Sequence, residues 1–239
     1  MTNLTHSVRI CISKGISFDA PSMLTVRVGK GPKPKEFIVH ESFLTSHSEF
    51  FRRAMNGKWA ETESRIVKLP KDNPRTFAVY LNFIYTGRLT TMRKTQEELS
   101  AVDCDTFIRH IESEYQEIFE LYVLAEKLQD VSAKDAALTA AIDVTQMESS
   151  DGKWRIPSFD TCNNVYEGTP EGSPARRLIT DMCSGLPMAG IVLYIRAKSV
   201  HKDFVNDLTT ALDKTRPVKR GHGGNVAVRN GVKAYLEEA

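Results

Sequence analysis

Apolar and polar residues alternate at two places near the start of the chain. Residues 24–28 follow the period of two that is typical of a half-buried strand, and residues 36–40 resume a strand-like pattern. The Gly-Lys-Gly-Pro-Lys-Pro segment between them contains residues that favour turns. The pattern therefore predicts a β-hairpin.

After Ser42 the period changes to the three- and four-residue spacings of a helix. The predicted helical face consists of Phe43, Leu44, His47, Phe50, Phe51 and Ala54. A short strand is expected at residues 65–69, and after it Asn73 and Pro74 are suited to begin another helix. The apolar stripe of that helix is predicted to be Phe77, Tyr80, Leu81 and Ile84. Gly87 is expected to end it in a left-handed conformation.

The next segment is less apolar, and helical patterns then return. Residues 92–113 are polar and charged around few apolar positions, so we interpret them as an inserted loop. An amphipathic stripe follows, formed by Ile118, Leu121, Tyr122, Ala125 and Leu128. Ser132 and Asp135 resemble a capping box at the start of the next helix. Further helices are predicted after Ser173 and around Leu208.

Composition divides the chain into four parts. Residues 1–19 are interpreted as an N-terminal extension, and residues 20–147 as the main domain, which includes the inserted loop at 92–113. Residues 148–213 form a predicted helical C-terminal region that follows a polar linker. The basic, glycine-rich residues 214–239 are expected to be a flexible tail.

Charge and cysteine content restrict the classes of partner. The 32 basic and 30 acidic residues give a net charge of +2, which provides no broad electrostatic footprint for nucleic acid or an anionic membrane. The four cysteines include no Cys-x-x-Cys pair, and no apolar run is long enough to span a bilayer. We therefore expect protein partners, no membrane contact, and a cytoplasmic or nuclear location; nucleic acid is disfavoured.

The sequence contains no arrangement that is typical of catalysis. Its six histidines form no His-x-x-x-His pair, Gly29-Lys30-Gly31-Pro32 is too short for a phosphate-binding loop, and Gly-x-Ser-x-Gly is missing. We expect no enzymatic activity, no catalytic or metal-binding residues, and no cofactor.

Two motifs resemble the BTB/POZ family. In the first, at residues 36–55, a strand ends in His and is followed by a Leu, a Ser and a Phe at fixed spacings. The matching residues are His40, Leu44, Ser46 and Phe50 or Phe51. The second motif, at residues 66–77 and 83–87, is similar to the segment that closes the family's core. The resemblance implies an α+β fold, in which a small mixed β-sheet is flanked by α-helical hairpins, here with a helical C-terminal extension.

A further segment resembles fungal members of the family. Residues 165–179 are similar to a stretch found after the BTB core in many fungal proteins. Within it, Arg176 and Arg177 are interpreted as part of a solvated helix face. The alternative is that both are exposed and contact an acidic partner.

The candidate protein-binding residues are Trp59 and Glu61, between the first helix pair and the third strand. A Trp on a short loop offers a large, rigid apolar contact, to which Glu61 could add a rim charge. In the BTB family, a hydrophobic-x-Glu triplet at this place is associated with docking onto a cullin scaffold, and Trp59-Ala60-Glu61 fits that form. The alternative is that Trp59 folds onto the core and Glu61 is merely solvated.

The resemblance implies an adaptor that binds other proteins, with a role as substrate adaptor of a cullin-RING ubiquitin ligase. The alternative is a self-associating BTB scaffold or a transcription-linked regulator without a ligase role. No clear long amphipathic helix precedes Pro21. Because such a helix builds much of the swapped dimer in the family's transcription-factor subgroup, homo-oligomerisation stays an open expectation.

Overall fold

A computed structural model of the chain describes residues 22–31, 33–57, 60–147, 151–186, 200–215 and 226–236. The strands are β1 (Met23–Val28), β2 (Lys35–His40) and β3 (Ile66–Leu69). The first helices are α1 (Glu41–His47), α2 (Glu49–Ala54), α3 (Ala60–Ser64), α4 (Pro74–Thr86), α5 (Gln96–Ser100) and α6 (Cys104–Leu128). They are followed by α7 (Val131–Thr145), α8 (Phe159–Gly168), α9 (Pro174–Ser184), α10 (Lys202–Thr215), α11 (Val226–Asn230) and a 3-10 turn (Val232–Ala234).

The three strands form one mixed sheet in the order β2-β1-β3. β1 and β2 are antiparallel, with Met23 opposite His40, which confirms the predicted hairpin. β3 runs parallel to β1, with Val28 opposite Leu69. Alternate side chains of β1 point inward, and Val26 is fully buried. The sheet therefore has one apolar face on the core and one face toward solvent.

Helices cover the apolar face, as the predicted α+β fold requires. An edge-on contact between the rings of Phe37 and Phe77, with centroids 5.1 Å apart, joins the sheet to α4. α4 packs on α6, and α6 and α7 form an antiparallel hairpin. The predicted stripe of α6, which includes Tyr122 and Leu128, is buried. Asn73 caps α4 and Gly87 ends it at φ 69°, so both predicted boundaries are confirmed.

The interpretation of residues 92–113 as a loop is wrong, because they contain α5 and the first turns of α6. Thr95 forms a capping box with the glutamate three residues later, and Asp103 caps α6 by accepting a hydrogen bond from the Thr106 N–H. The few apolar residues here are spaced for one helical face, and Phe107 is buried. The polar majority of the segment is the solvent face of an amphipathic helix.

The N-cap of α7 is Asp130, not the predicted Ser132. The Asp130 carboxylate accepts hydrogen bonds from the Ala133 N–H (3.0 Å) and the Tyr80 hydroxyl (3.0 Å). Burial and the negative charge of Asp130 raise the pKa of Tyr80 far above its ordinary value, so Tyr80 stays protonated and donates. One buried carboxylate thus begins α7 and ties it to α4.

Glu114 gives the fold a predictable dependence on pH. Its side chain is buried on α6 and accepts a hydrogen bond from the Thr91 hydroxyl at 3.1 Å. Burial raises the pKa of Glu114 above its ordinary value; the Thr91 bond opposes this rise and the charge of Glu117 adds to it. The folded-state pKa of Glu114 is therefore higher than its unfolded-state pKa. The protonated carboxyl contributes its full stabilisation of the fold below the unfolded-state pKa, and this contribution is lost as pH rises through the folded-state pKa.

Glu114→Gln is therefore expected to raise the free energy of unfolding at pH 7 by about 1 kcal/mol, because the amide stays neutral. The gain should disappear in acid, where the wild-type carboxyl is protonated as well. Urea unfolding of both proteins between about pH 4 and pH 8 measures this difference. A variant that is equally destabilised at every pH would contradict the expectation.

The C-terminal region packs directly on α6. α8 lies against α6, and α9 lies against α8 and α10. The backbone of Gly168 approaches Val123 of α6 so closely that a Cβ atom at residue 168 would collide with the valine side chain. The Tyr115 hydroxyl of α6 donates to the Arg155 carbonyl at 3.1 Å. The interface between α6 and the following segment is therefore closely packed.

The flexible tail predicted at residues 214–239 is wrong for residues 226–236, which form α11 and the 3-10 turn. Tyr235 is buried, and its hydroxyl donates to Asp181 of α9 at 2.7 Å. A few apolar residues thus anchor a segment whose basic, glycine-rich composition suggested disorder. The expectation for residues 216–225 and 237–239, like that for residues 1–19, falls outside the described residues.

The interpretation of Arg176 as a solvated residue is also wrong. Arg176 is buried, and its guanidinium donates to the carbonyl oxygens of Tyr166 (2.6 Å) and Thr169 and to the Thr169 hydroxyl (3.1 Å). It also lies 4.6 Å from the Tyr166 ring centroid. Arg177 is exposed, as predicted. Of the two arginines, Arg176 is therefore a structural link between α8 and α9.

Candidate protein-interaction site

The predicted site lies in the connection from α2 to β3. Trp59 falls outside the described residues. Glu61 lies in the first turn of α3 and is partly exposed. Among the residues that the structure describes, the Glu61 carboxylate forms no ion pair. Its charge is thus available to a basic group of a partner.

α3 is held in place by hydrogen bonds at both of its ends. The Thr62 hydroxyl donates to the Ala54 carbonyl at 3.1 Å and accepts from the Gly57 N–H at 3.2 Å. At the other end, the Arg65 N–H donates to the Glu61 carbonyl at 2.9 Å. Arg65 itself has a left-handed φ of 56°, which turns the chain from the helix into β3.

The Arg65 guanidinium fixes this turn to the rest of the domain. It donates to the Glu41 carboxylate at 2.6 Å, to the Met23 carbonyl at 3.1 Å and to the Ser22 hydroxyl. Burial favours the neutral form of Glu41, but the hydrogen bonds from Arg65 and Ser22 outweigh it and lower the pKa of Glu41. A charged pair therefore anchors the site to the starts of β1 and α1.

An exposed aromatic cluster lies elsewhere on the domain and was not predicted as a site. The Phe43 ring stacks on Tyr85, with centroids 4.2 Å apart, and the Tyr85 hydroxyl lies 2.9 Å from Nδ1 of His40. Tyr85 is 38% exposed, and Ile38 on the outer sheet face is 71% exposed. The sequence signal was the position of Tyr85 outside the apolar stripe of α4. The His40 backbone N–H also donates to the Tyr85 hydroxyl, at 3.1 Å.

The exposed apolar side chains and the Glu61 carboxylate can bind a partner protein through apolar contacts and ion pairs. No group of His, Cys, Asp and Glu residues in the described segments is suited to hold a metal ion. None of the helices described is both long and apolar enough to cross a bilayer.

Residues 22–135 match the family model of the BTB/POZ domain. The matched segment begins at β1, includes the whole sheet and ends in α7, so the chain carries a BTB/POZ domain with the expected small mixed sheet. BTB/POZ domains are protein–protein interaction modules. A comparison with curated proteins finds no match to the chain. The predicted boundaries of the main domain at residues 20 and 147, and the binding roles of Trp59 and Glu61, stay predictions.

Proposed function

We propose that the protein is a non-enzymatic adaptor in the cytoplasm or nucleus, and that its BTB/POZ domain docks a cullin scaffold of a ubiquitin ligase. The observation that carries the proposal is the position of Glu61. Its carboxylate lies without a described ion-pair partner on α3, where the hydrophobic-x-Glu triplet of the family resemblance falls.

The rigidity of α3 supports this proposal. Thr62 and Arg65 fix the short helix on either side, so the backbone at Glu61 does not have to be ordered when a partner binds. Preorganised contacts lose less conformational entropy on association than flexible ones do. A basic residue of the scaffold would pair with Glu61, and the neighbouring Trp59 would supply apolar contact area.

Calorimetric titration with a purified cullin amino-terminal domain tests the proposal. Glu61→Lys is expected to weaken binding by about tenfold or more, because it places a positive charge opposite the basic partner group. Trp59→Ala should weaken binding by a similar or larger factor through loss of an aromatic anchor.

Glu97→Lys is the matched control, since Glu97 is an exposed glutamate on α5 and makes the same change in net charge. It should leave the affinity within about twofold of the wild type. No binding of the wild-type protein at about 100 μM, or equal affinity of all four proteins, would remove the docking role.

A self-associating scaffold, or a transcription-linked regulator without a ligase role, is the second candidate. The exposed Ile38 and Tyr85 favour it, because apolar side chains on a solvent-facing surface are typical of interfaces between chains. Light scattering of the purified protein separates the two candidates. A stable oligomer combined with no affinity for the cullin domain would select the second.

A further inference from the structure

The β1–β2 turn and the end of β3 meet at one end of the sheet. Val28 lies opposite Leu69 in the parallel pair, and the Gly29 N–H donates to the Leu69 carbonyl at 3.1 Å. This pairing brings the turn of the hairpin beside Pro70 and Lys71, which are distant from it in sequence.

Five exposed lysines lie in or next to the strands and the turn at this end of the sheet, and we name them the lysine face. They are Lys30, Lys33, Lys35, Lys68 and Lys71. No ion pair joins them to any residue in the described part of the chain. The acidic neighbour Glu36 is already paired with Arg27 at 2.7 Å. The lysine face thus concentrates more positive charge than the net +2 of the whole chain.

Two residues of the lysine face, Lys30 and Lys68, border a concave, largely apolar floor. A cavity of about 360 Å³ is lined by Gly29, Gly31, Pro34, Pro70 and the side chains of Arg27, Lys30 and Lys68. Gly29 and Gly31 both have φ of 105°, a conformation that favours glycine. A Cβ atom at residue 29 would lie 3.2 Å from Pro74 of α4, so the close approach of this turn to α4 also favours glycine.

We propose that the lysine face binds an acidic segment of a partner protein, in which one apolar side chain is flanked by carboxylates. The apolar side chain would occupy the floor, and Lys30 and Lys68, which line it, would pair with the carboxylates. A nucleic-acid strand fits less well, because unpaired bases need exposed aromatic rings for stacking. Phe37, the neighbouring aromatic residue, packs on Phe77 and is covered by Lys35, whose Nζ lies 5.0 Å from its ring centroid.

The lysine face and Glu61 lie at opposite ends of β3. α3 ends at Ser64, before the strand, whereas Pro70 and Lys71 follow it. The four-residue strand between α3 and Pro70 is about 13 Å long, at 3.3 Å per residue. The proposed acidic segment and the proposed contact of Glu61 therefore use different residues of the domain.

Fluorescence anisotropy with the full chain tests this inference. The probe is a fluorescein-labelled peptide of about twelve alternating Asp and Glu residues with a central Leu, and its Asn/Gln analogue is the uncharged comparison. The acidic peptide should bind, and its affinity should fall as sodium chloride rises from about 50 to 300 mM. The combined variant Lys30→Glu, Lys33→Glu, Lys68→Glu should weaken binding by about tenfold or more.

The matched control combines Lys94→Glu, Lys202→Glu and Lys233→Glu, which make the same change in net charge outside the lysine face. It should keep the affinity within about twofold of the wild type. Circular dichroism verifies that both variants fold, and the milder Lys→Gln set at residues 30, 33 and 68 should give an intermediate loss.

Three results would overturn the inference: no binding of the acidic peptide at low salt, an equal loss in the control variant, or tighter binding of a single-stranded oligonucleotide of equal charge. Glu61→Lys should leave peptide binding unchanged. Failure of the cullin interaction would therefore be distinguishable from failure of the lysine face.

Discussion

Replacement of Phe51 by alanine is expected to lower the free energy of unfolding by about 3–5 kcal/mol. Phe51 is fully buried on α2, which packs against α6. The start of α2 is fixed by Ser48, whose hydroxyl donates to the Leu128 carbonyl at 2.6 Å and accepts from the Phe51 N–H. Because this anchor prevents α2 from moving into the vacated volume, the substitution should leave a cavity.

Phe50 is the matched control, since the same residue type occurs one position earlier in the same helix. Its ring is only partly buried and meets Phe51 edge-on, with centroids 5.3 Å apart. Phe50→Ala should therefore cost about 1 kcal/mol. Guanidinium unfolding followed by circular dichroism measures both values. Equal losses in the two variants would show that the Phe51 site collapses around the smaller side chain.

Arg176→Met is expected to lower the free energy of unfolding by about 3 kcal/mol. Methionine keeps the length and apolar stem of the side chain but leaves the carbonyls of Tyr166 and Thr169 without their donor. The substitution also removes the contact of Arg176 with Asp203 of α10, at 3.8 Å. Three helices thus lose one shared charged group. Guanidinium unfolding followed by circular dichroism measures the decrease in the free energy of unfolding.

Arg177→Met tests whether burial or charge determines this effect. Arg177 is exposed. Within the described segments, its guanidinium donates one hydrogen bond, to the Gly172 carbonyl at 3.2 Å. Its replacement should change stability by no more than about 0.5 kcal/mol. Arg176→Lys should recover little, because a single ammonium cannot reproduce the planar fork of donors. Comparable losses at residues 176 and 177 would refute the structural role of Arg176.

The elements that the sequence predicted correctly depend on neighbours in the chain. The hairpin followed from alternation at residues 24–28 and 36–40, and the boundaries of α4 followed from Asn73 and Gly87. Capping and periodicity act within a few residues, so a single sequence contains their whole signal. The motifs around His40 were specific enough to indicate the BTB/POZ domain that the family comparison shows.

The errors arose where contacts between distant segments decide the structure. Residues 96–100 and 104–113 are an exception, because the capping box at Thr95 and the cap at Asp103 are local signals that the polar composition of the segment concealed. The burial of Arg176 depends on carbonyls at the end of α8, and composition alone gave it the same status as Arg177. Tertiary packing can thus override the local preference of a polar segment.

The candidate sites also differ in whether they depend on local sequence or on contacts between distant segments. Glu61 was found from a local triplet, whereas the lysine face needs the parallel pairing of β1 with β3 before Lys30 and Lys68 become neighbours. The stacking of Phe43 on Tyr85 likewise requires α1 and the end of α4 to meet. Neither arrangement follows from spacing along the chain.

The close packing of Gly168 against Val123 affects the BTB/POZ domain itself. Because α8 lies on α6, the last helices cover a surface that the matched segment 22–135 would expose to water if it were produced on its own. The C-terminal helices therefore cover part of the surface of the domain. A truncated protein would expose an aggregation-prone surface that the full chain covers.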